Sequence, residues 1–373
     1  EQVRRSASRR LAELRAAAAA TPPAPEGAPR LPLRAAHGVL TEGLVERSVE
    51  AKLLLLGIVG AEHVLLVGPP GTAKSLLSRR LSRACGGAYF ERLLTRFTVP
   101  EEVLGPLSLK ALERDELRRK VKGFLPAAEV AFLDEVFKAN SAILNALLTL
   151  LNERAFDNGD AREQTPLQCV VAASNELPET DELDALYDRF LLRREVRHMS
   201  QAAVPDFLQR LLGPQTTAAA TSEGTPPLLA AAGLRAVRAA AAGVAFPERL
   251  QRQVAGLREH LRALDPPVAI SDRRMAQACL LVRAAACAVG ATSVLEFDLW
   301  LLRFISGRPR AGGRGGDVAA AALHRGPRPR HRAGEVHAGV CEGEDRHGHG
   351  GRDDQASGGD TGEAAHLAAR DAR

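Results

Sequence analysis

One octapeptide constrains what this chain can fold into more than any other feature: Gly68-Pro69-Pro70-Gly71-Thr72-Ala73-Lys74-Ser75. It follows a short apolar run, His63–Val67, and opens a helical pattern that continues through Leu76 to Cys85. Strand, glycine loop and helix in that order make a phosphate cradle. Successive loop N–H groups face inward, and the helix N-terminus adds positive potential. Residues Gly68 to Leu76 line such a cradle. Lys74 is placed to neutralise the β- and γ-phosphates, and the Ser75 hydroxyl to bind Mg2+. One position departs from the pattern G-x-x-x-x-G-K-[ST], because Ala73 stands where the second glycine is usual. Alanine adds only a methyl, so the loop is expected to form with Ala73 outside the positive-φ region.

Two further strand ends carry suitable groups. Val130-Ala-Phe-Leu-Asp134-Glu135 is an apolar strand ending in two acids, about sixty residues after the loop. In open α/β sheets ligands gather at the carboxyl ends of the strands. Asp134 there suits a hydrated Mg2+, and Glu135 suits a base that polarises the attacking water. The run Cys169–Ala173 ends in Ser174-Asn175, and Asn175 can reach that water or the γ-phosphate. By itself an Asn after a strand is a turn residue, so its role depends on the other two. The expected cofactors are ATP and Mg2+. Strands alternating with helices predict an α/β chain, an αβα sandwich around a parallel sheet.

Outside that core the composition changes. Residues 1–36 form an N-terminal extension, with an Ala- and Arg-rich helical pattern from Arg4 to Ala20 and a Pro-rich linker over 21–36. The nucleotide-binding domain is expected over 37–200, with a first helix from Glu42 to Gly60 carrying Leu44, Val45, Val49, Leu53 and Leu56 on one face. A small all-α lid is expected over 201–306. The tail 307–373 has no aromatic, Ile or Lys and only two leucines, so it is expected to be disordered or read out of frame. Its six histidines lie scattered among Gly and Arg rather than in a metal-binding spacing. The five cysteines form no C-x-x-C pair, which argues against a zinc site or a disulfide framework. No apolar run reaches the roughly 20 residues of a membrane span.

The segments GPPGTAKS, LTRFTVPEEVLGPLS (94–108), FLDEVFKANSAILNALLTLLNERAFDNG (132–159), VVAASNELPE (170–179) and LYDRFLLR (186–193) together resemble the MoxR family of AAA+ ATPases, in particular its RavA branch. The resemblance spans roughly residues 41–305. More distantly the chain is similar to the ATPase subunit of magnesium chelatase. The resemblance implies an AAA+ fold and a homo-hexameric ring with ATP between subunits. It implies that Arg189 is an arginine finger reaching the neighbour's γ-phosphate, and that Arg273 is the sensor-two arginine of the lid. Without it both arginines read as surface ion-pair residues. It also implies that Gly105–Gly123 and Glu153–Pro166 are inserted hairpins facing substrate. RavA proteins carry a further partner-binding module after the lid, and the tail stands in its place here.

The expected activity is therefore ATP hydrolysis by a chaperone-like remodeller or activator of a partner protein, and the resemblance implies a partner with a von Willebrand A domain. The alternatives are a metal-chelatase motor subunit and a nucleotide-dependent scaffold without turnover. A net charge of +5 is too mild to indicate nucleic acid, and the basic tail lacks aromatics for stacking on bases. A cytoplasmic location is expected; a plastid or mitochondrion follows instead if the Arg-rich first forty residues are a transit peptide.

Overall fold

A computed structural model describes residues 29–178, 180–212, 226–264 and 267–305. The N-terminal helical pattern and the tail 307–373 lie outside the described residues. In chain order the first half contains α1 (Leu33–Thr41), α2 (Ser48–Gly60), β1 (Val64–Val67), α3 (Lys74–Cys85), β2 (Tyr89–Leu93), α4 (Pro100–Leu104), α5 (Leu109–Leu112) and β3 (Val130–Asp134). Then come α6 (Ser141–Glu153), β4 (Ala155–Asn158), β5 (Ala161–Gln164), β6 (Cys169–Ser174), α7 (Asp181–Tyr187) and β7 (Leu192–Glu195). The helical part holds α8 (Val204–Leu212), α9 (Ala231–Ala241), α10 (Glu248–Arg262), α11 (Asp272–Ala288) and a 3-10 segment, Glu296–Phe304.

Five parallel strands form the main sheet in the order β2-β3-β6-β1-β7. The central strands are apolar throughout because helices cover both faces. Side chains alternate between two cores with the period of two that a strand imposes. Val64, Leu66, Val130, Phe132 and Val171 join α2, α3 and the helical part. Leu65, Val67, Ala131, Leu133 and Val170 join α6 and the Tyr187–Phe190 turn. This arrangement puts the ends of β1, β3 and β6 side by side, with Leu66 beside Ala173 and Phe132 beside Val171.

The helices correct two expectations. The helix expected over Glu42–Gly60 begins only at Ser48, so Leu44 and Val45 precede it. Gly43 and Glu46 both take positive φ, which a helix cannot continue through. From Leu53 to Val59 every residue of α2 is buried, so the helix has no exposed stripe there. It is wrapped by α1, α9, α11 and the sheet. Residues 33–36, counted by composition with the linker, are the first turn of α1. Pro32 sits just before that turn, where a missing N–H costs nothing.

Both segments read as insertions lie outside the main sheet. β4 and β5 pair antiparallel as a hairpin. The excursion from Gly105 to Gly123 holds α5 and a single antiparallel bridge, Leu107 to Arg119. The two meet where Asn158 Oδ1 accepts from Arg119 N at 2.6 Å.

Candidate nucleotide site and arginine cluster

β1 runs straight into the glycine loop. A Cβ at Gly68 would lie 2.0 Å from Val196 O, so only glycine lets the loop leave the sheet there. Ala73 lies at φ 66°, ψ 22°, in the left-handed region. The expectation that it would avoid positive φ is therefore corrected: the loop forms with Ala73 in the glycine conformation, at a cost of about 1–2 kcal/mol. The contacts around it hold that shape. Thr72 Oγ1 donates to Pro69 O at 2.9 Å, and the nearly buried Arg47 donates from Nε to Thr72 O at 2.9 Å and from Nη2 to Arg197 O at 2.8 Å.

Helix α3 starts at Lys74 with no side chain capping it, so its first N–H groups remain available. Lys74 is 8% exposed, and its ammonium donates to Gly68 O (2.7 Å) and Pro69 O (2.8 Å). Burial pulls its pKa below the usual lysine range, while Asp134 and Glu135 oppose that shift. An uncapped helix start, a buried ammonium and nearby carboxylate and hydroxyl oxygens fit a polyphosphate with a hard divalent cation. Ser75 and Asp134 are the residues that would offer oxygen donors to such a cation.

Asp134 ends β3, and Glu135 follows in the left-handed region at φ 52°. Asp134 Oδ1 accepts from Glu135 N at 3.1 Å. Glu135 Oε1 accepts from Asn175 Nδ2 at 2.6 Å, across from the end of β6. Glu135 Oε2 is sealed from solvent and accepts no hydrogen bond; Lys138 Nζ stands 3.3 Å away as an ion-pair partner. The strained backbone and the Asn175 amide thus aim this carboxylate. Asn175, read as a ligand for water or phosphate, here contacts the carboxylate of the candidate base.

Arg189 and Arg273 lie elsewhere. Both line a polar cavity of about 170 Å³ together with Glu62, His63, Asn152 and Arg154. Glu62 and His63 precede β1 and the phosphate loop follows it, and four strand residues span roughly 13 Å. The two arginines therefore sit at the opposite end of the strand from Lys74. Arg273 donates to Asn152 Oδ1. Arg189 Nε is sealed from solvent and makes no hydrogen bond among the described residues. Burial pushes the Glu62 carboxyl up to about 7, against the pull of Arg154, Arg273 and Arg274. His63 is fully buried, its Nδ1 accepting from Val170 N (3.0 Å) and its Nε2 facing Leu151 O (3.0 Å). Desolvation lowers its pKa to about 3, so the ring is neutral.

Residues 32–228 match the family model described as the MoxR domain in the MoxR-vWA-beta-propeller ternary systems, and residues 250–311 match an AAA lid domain. The chain belongs to the MoxR family of AAA+ ATPases. An uncharacterized protein of Methanocaldococcus jannaschii is 52% identical over 159 residues, 42% of this chain and 43% of that protein. The chaperone MoxR1 of Mycobacterium tuberculosis is 29% identical over 175 residues, 45% of this chain and 43% of that protein. The match thus spans less than half the length of either relative. A crystal structure of a Cytophaga hutchinsonii protein, provisionally classed as an ATPase, shares the fold with a TM-score of 0.58 at 18% identity, over 74% of this chain and 84% of that one. Among the described residues no helix is long and apolar enough to cross a membrane.

Four arginines of this MoxR-family site escaped the sequence reading: Arg47, Arg154, Arg193 and Arg274. Arg154 caps α6 at φ 51° and donates from Nη1 to Leu167 O at 2.5 Å and from Nη2 to Ala61 O. It thereby ties the base of the β4–β5 hairpin to the turn before β1. In a chain with 44 arginines nothing local marks Arg47, Arg154 and Arg274, which reach main-chain carbonyls distant in sequence, while Arg193 folds back on the carbonyls of Phe190 and Tyr187, a contact made only in the folded turn.

Proposed function

We propose that this MoxR-family chain hydrolyses ATP with Mg2+ as one subunit of a homo-hexameric ring, and uses that turnover to remodel or activate a partner protein carrying a von Willebrand A domain. The observation that carries the hydrolytic part is the meeting of Lys74, Asp134 and the Glu135–Asn175 pair at the carboxyl ends of adjacent strands. Lys74 and the first amides of α3 bind the phosphates; Ser75 and Asp134 hold the metal. Bound Mg2+ supplies charge neutralisation across the β- and γ-phosphates. Glu135 accepts the proton of the attacking water, and Asn175 keeps that carboxylate oriented. Arg189, with Arg273 beside it, serves the nucleotide of a neighbouring copy, because both lie a strand's length from the chain's own Lys74.

Support for the partner class comes from the matching family model, whose description names MoxR–vWA systems. Leu109 and Leu117, 72% and 62% exposed on the 105–123 excursion, offer apolar contacts for a client. The wording of the motifs, GPPGTAKS and LYDRFLLR above all, supports the RavA-like branch.

Steady-state phosphate release and nucleotide titration test the proposal. Lys74→Ala is expected to lose ATP binding. Glu135→Gln is expected to keep it while turnover falls about 10²–10⁴-fold, since an amide accepts no proton. Immobilised Glu135→Gln should then retain a von Willebrand A domain protein in ATP but not in ADP. Equal nucleotide affinity in wild type and Lys74→Ala would overturn the phosphate-loop assignment.

A further inference from the structure

The turn that carries Arg189 is gripped by two arginines with buried side chains, one just after it in sequence and one from a distant helix. Arg193, on β7, donates from Nε to Phe190 O at 2.9 Å, and from Nη2 to Tyr187 O at 2.8 Å and Asp188 Oδ1 at 3.1 Å. Its guanidinium carbon lies 3.7 Å from the centre of the Tyr187 ring. Arg274 comes from α11 in the helical part and is 5% exposed. Its Nη1 reaches Asp188 O (3.1 Å), Phe190 O (3.3 Å) and Asp188 Oδ1 (3.4 Å), and its Nη2 reaches Leu191 O (3.2 Å) and Ile305 O (2.9 Å).

Burying two guanidinium groups side by side is costly, and apolar packing would close the same gap more cheaply. What a guanidinium adds is a rigid fork that fixes several carbonyls at once. The carbonyls of Tyr187, Asp188, Phe190 and Leu191 are all taken, which fixes the backbone on both sides of Arg189, itself a lining residue of the cavity. One residue before Arg274 on the same helix, Arg273 faces that cavity too. Arg274 lines the cavity as well while it grips the Arg189 turn, so a single helix brings both arginines to this place.

We propose that Arg274 is a positioning residue for Arg189, joining α11 and the 187–191 turn into one body so that lid and finger meet the neighbour's nucleotide together. This rests on the reading of Arg189 as acting between copies. A guanidinium misplaced by about 1 Å costs on the order of 10² in rate.

The test is epistasis in the full chain. Arg274→Met should lower kcat about 10²-fold while the Kd for ATP stays within twofold of wild type. The double variant Arg189→Ala/Arg274→Met should be no slower than Arg189→Ala alone, because a positioning residue has nothing left to position. Mixed with Lys74→Ala, whose own Arg189 turn is intact, Arg274→Met should regain turnover; mixed with Arg189→Ala it should not. If Arg274→Met does not fold, Asp188→Ala removes the exposed carboxylate shared by both arginines, and a smaller kcat loss is expected, again absent in the Arg189→Ala background. Undiminished kcat in folded Arg274→Met, or losses that multiply in the double variant, would sink the proposal. If Arg189→Ala itself hydrolyses ATP at the wild-type rate, the reading beneath it falls as well.

Discussion

Ala73 and Glu135 are the two non-glycine residues of the nucleotide site held at positive φ, and each sits where a strand gives way to functional groups. Strain at such positions persists only when the surroundings over-determine it. Around Ala73 those surroundings are the Arg47 and Thr72 hydrogen bonds. Glycine adopts this backbone freely, so Ala73→Gly should raise the unfolding free energy by up to about 1 kcal/mol. A higher urea midpoint with unchanged slope would be the readout; a lower midpoint would mean that the alanine methyl contributes packing that outweighs the strain. At this scale the placement of the candidate site residues was largely legible. Lys74, Ser75, Asp134, Glu135 and Asn175 are read from short motifs because each stands within two residues of a strand end or helix start. The conformation of Ala73 was not, since propensity argues against it and a deciding partner, Arg47, bonds to Thr72 from 25 residues away and is near at hand only in the folded loop.

At the scale of elements, β1, β3 and β6 were legible because they are buried on both faces and read as apolar runs. β2 (YFERL) and β7 (LRRE) were not, and they are the two edges of the sheet, where half-exposed polar side chains blur the pattern. The start of β1 brings a pH dependence with it. His63 has a folded pKa near 3, against about 6.5 unfolded, so the unfolded chain binds the extra proton between those values. Its contribution is whole above about 6.5 and falls by as much as about 1.4 kcal/mol for each pH unit below. Glu62 acts oppositely: with a folded pKa near 7, it favours folding below about 4.5 and loses that contribution as pH rises through 7. Between 4.5 and 6.5 the two offset each other in part. Glu62→Gln should therefore uncover a steeper loss of stability from pH 6.5 downward than wild type shows, measured by urea unfolding at half-unit intervals. Parallel profiles for the two proteins would remove Glu62 from this balance.

For the whole molecule the decisive fact is a separation. Lys74 and Glu135 lie at the carboxyl end of the sheet, while Arg189 and Arg273 lie beyond the amino end of β1, one strand length away. On the proposed reading a lone chain has an incomplete site, with a pocket at one end and a finger at the other. Turnover per subunit should then rise with protein concentration and level off once rings have formed. Arg189→Ala should lose about 10³–10⁵ in rate, as arginine fingers do, yet bind nucleotide as wild type does. Lys74→Ala has the complementary defect, a dead pocket beside a sound finger. Mixing the two inactive variants creates interfaces where an intact pocket meets an intact finger, and those interfaces should hydrolyse ATP. Mixed rings verified by native mass spectrometry but still inactive would count against action between subunits. A chain that turns over at full rate at concentrations where it is monomeric would remove the ring from the mechanism altogether.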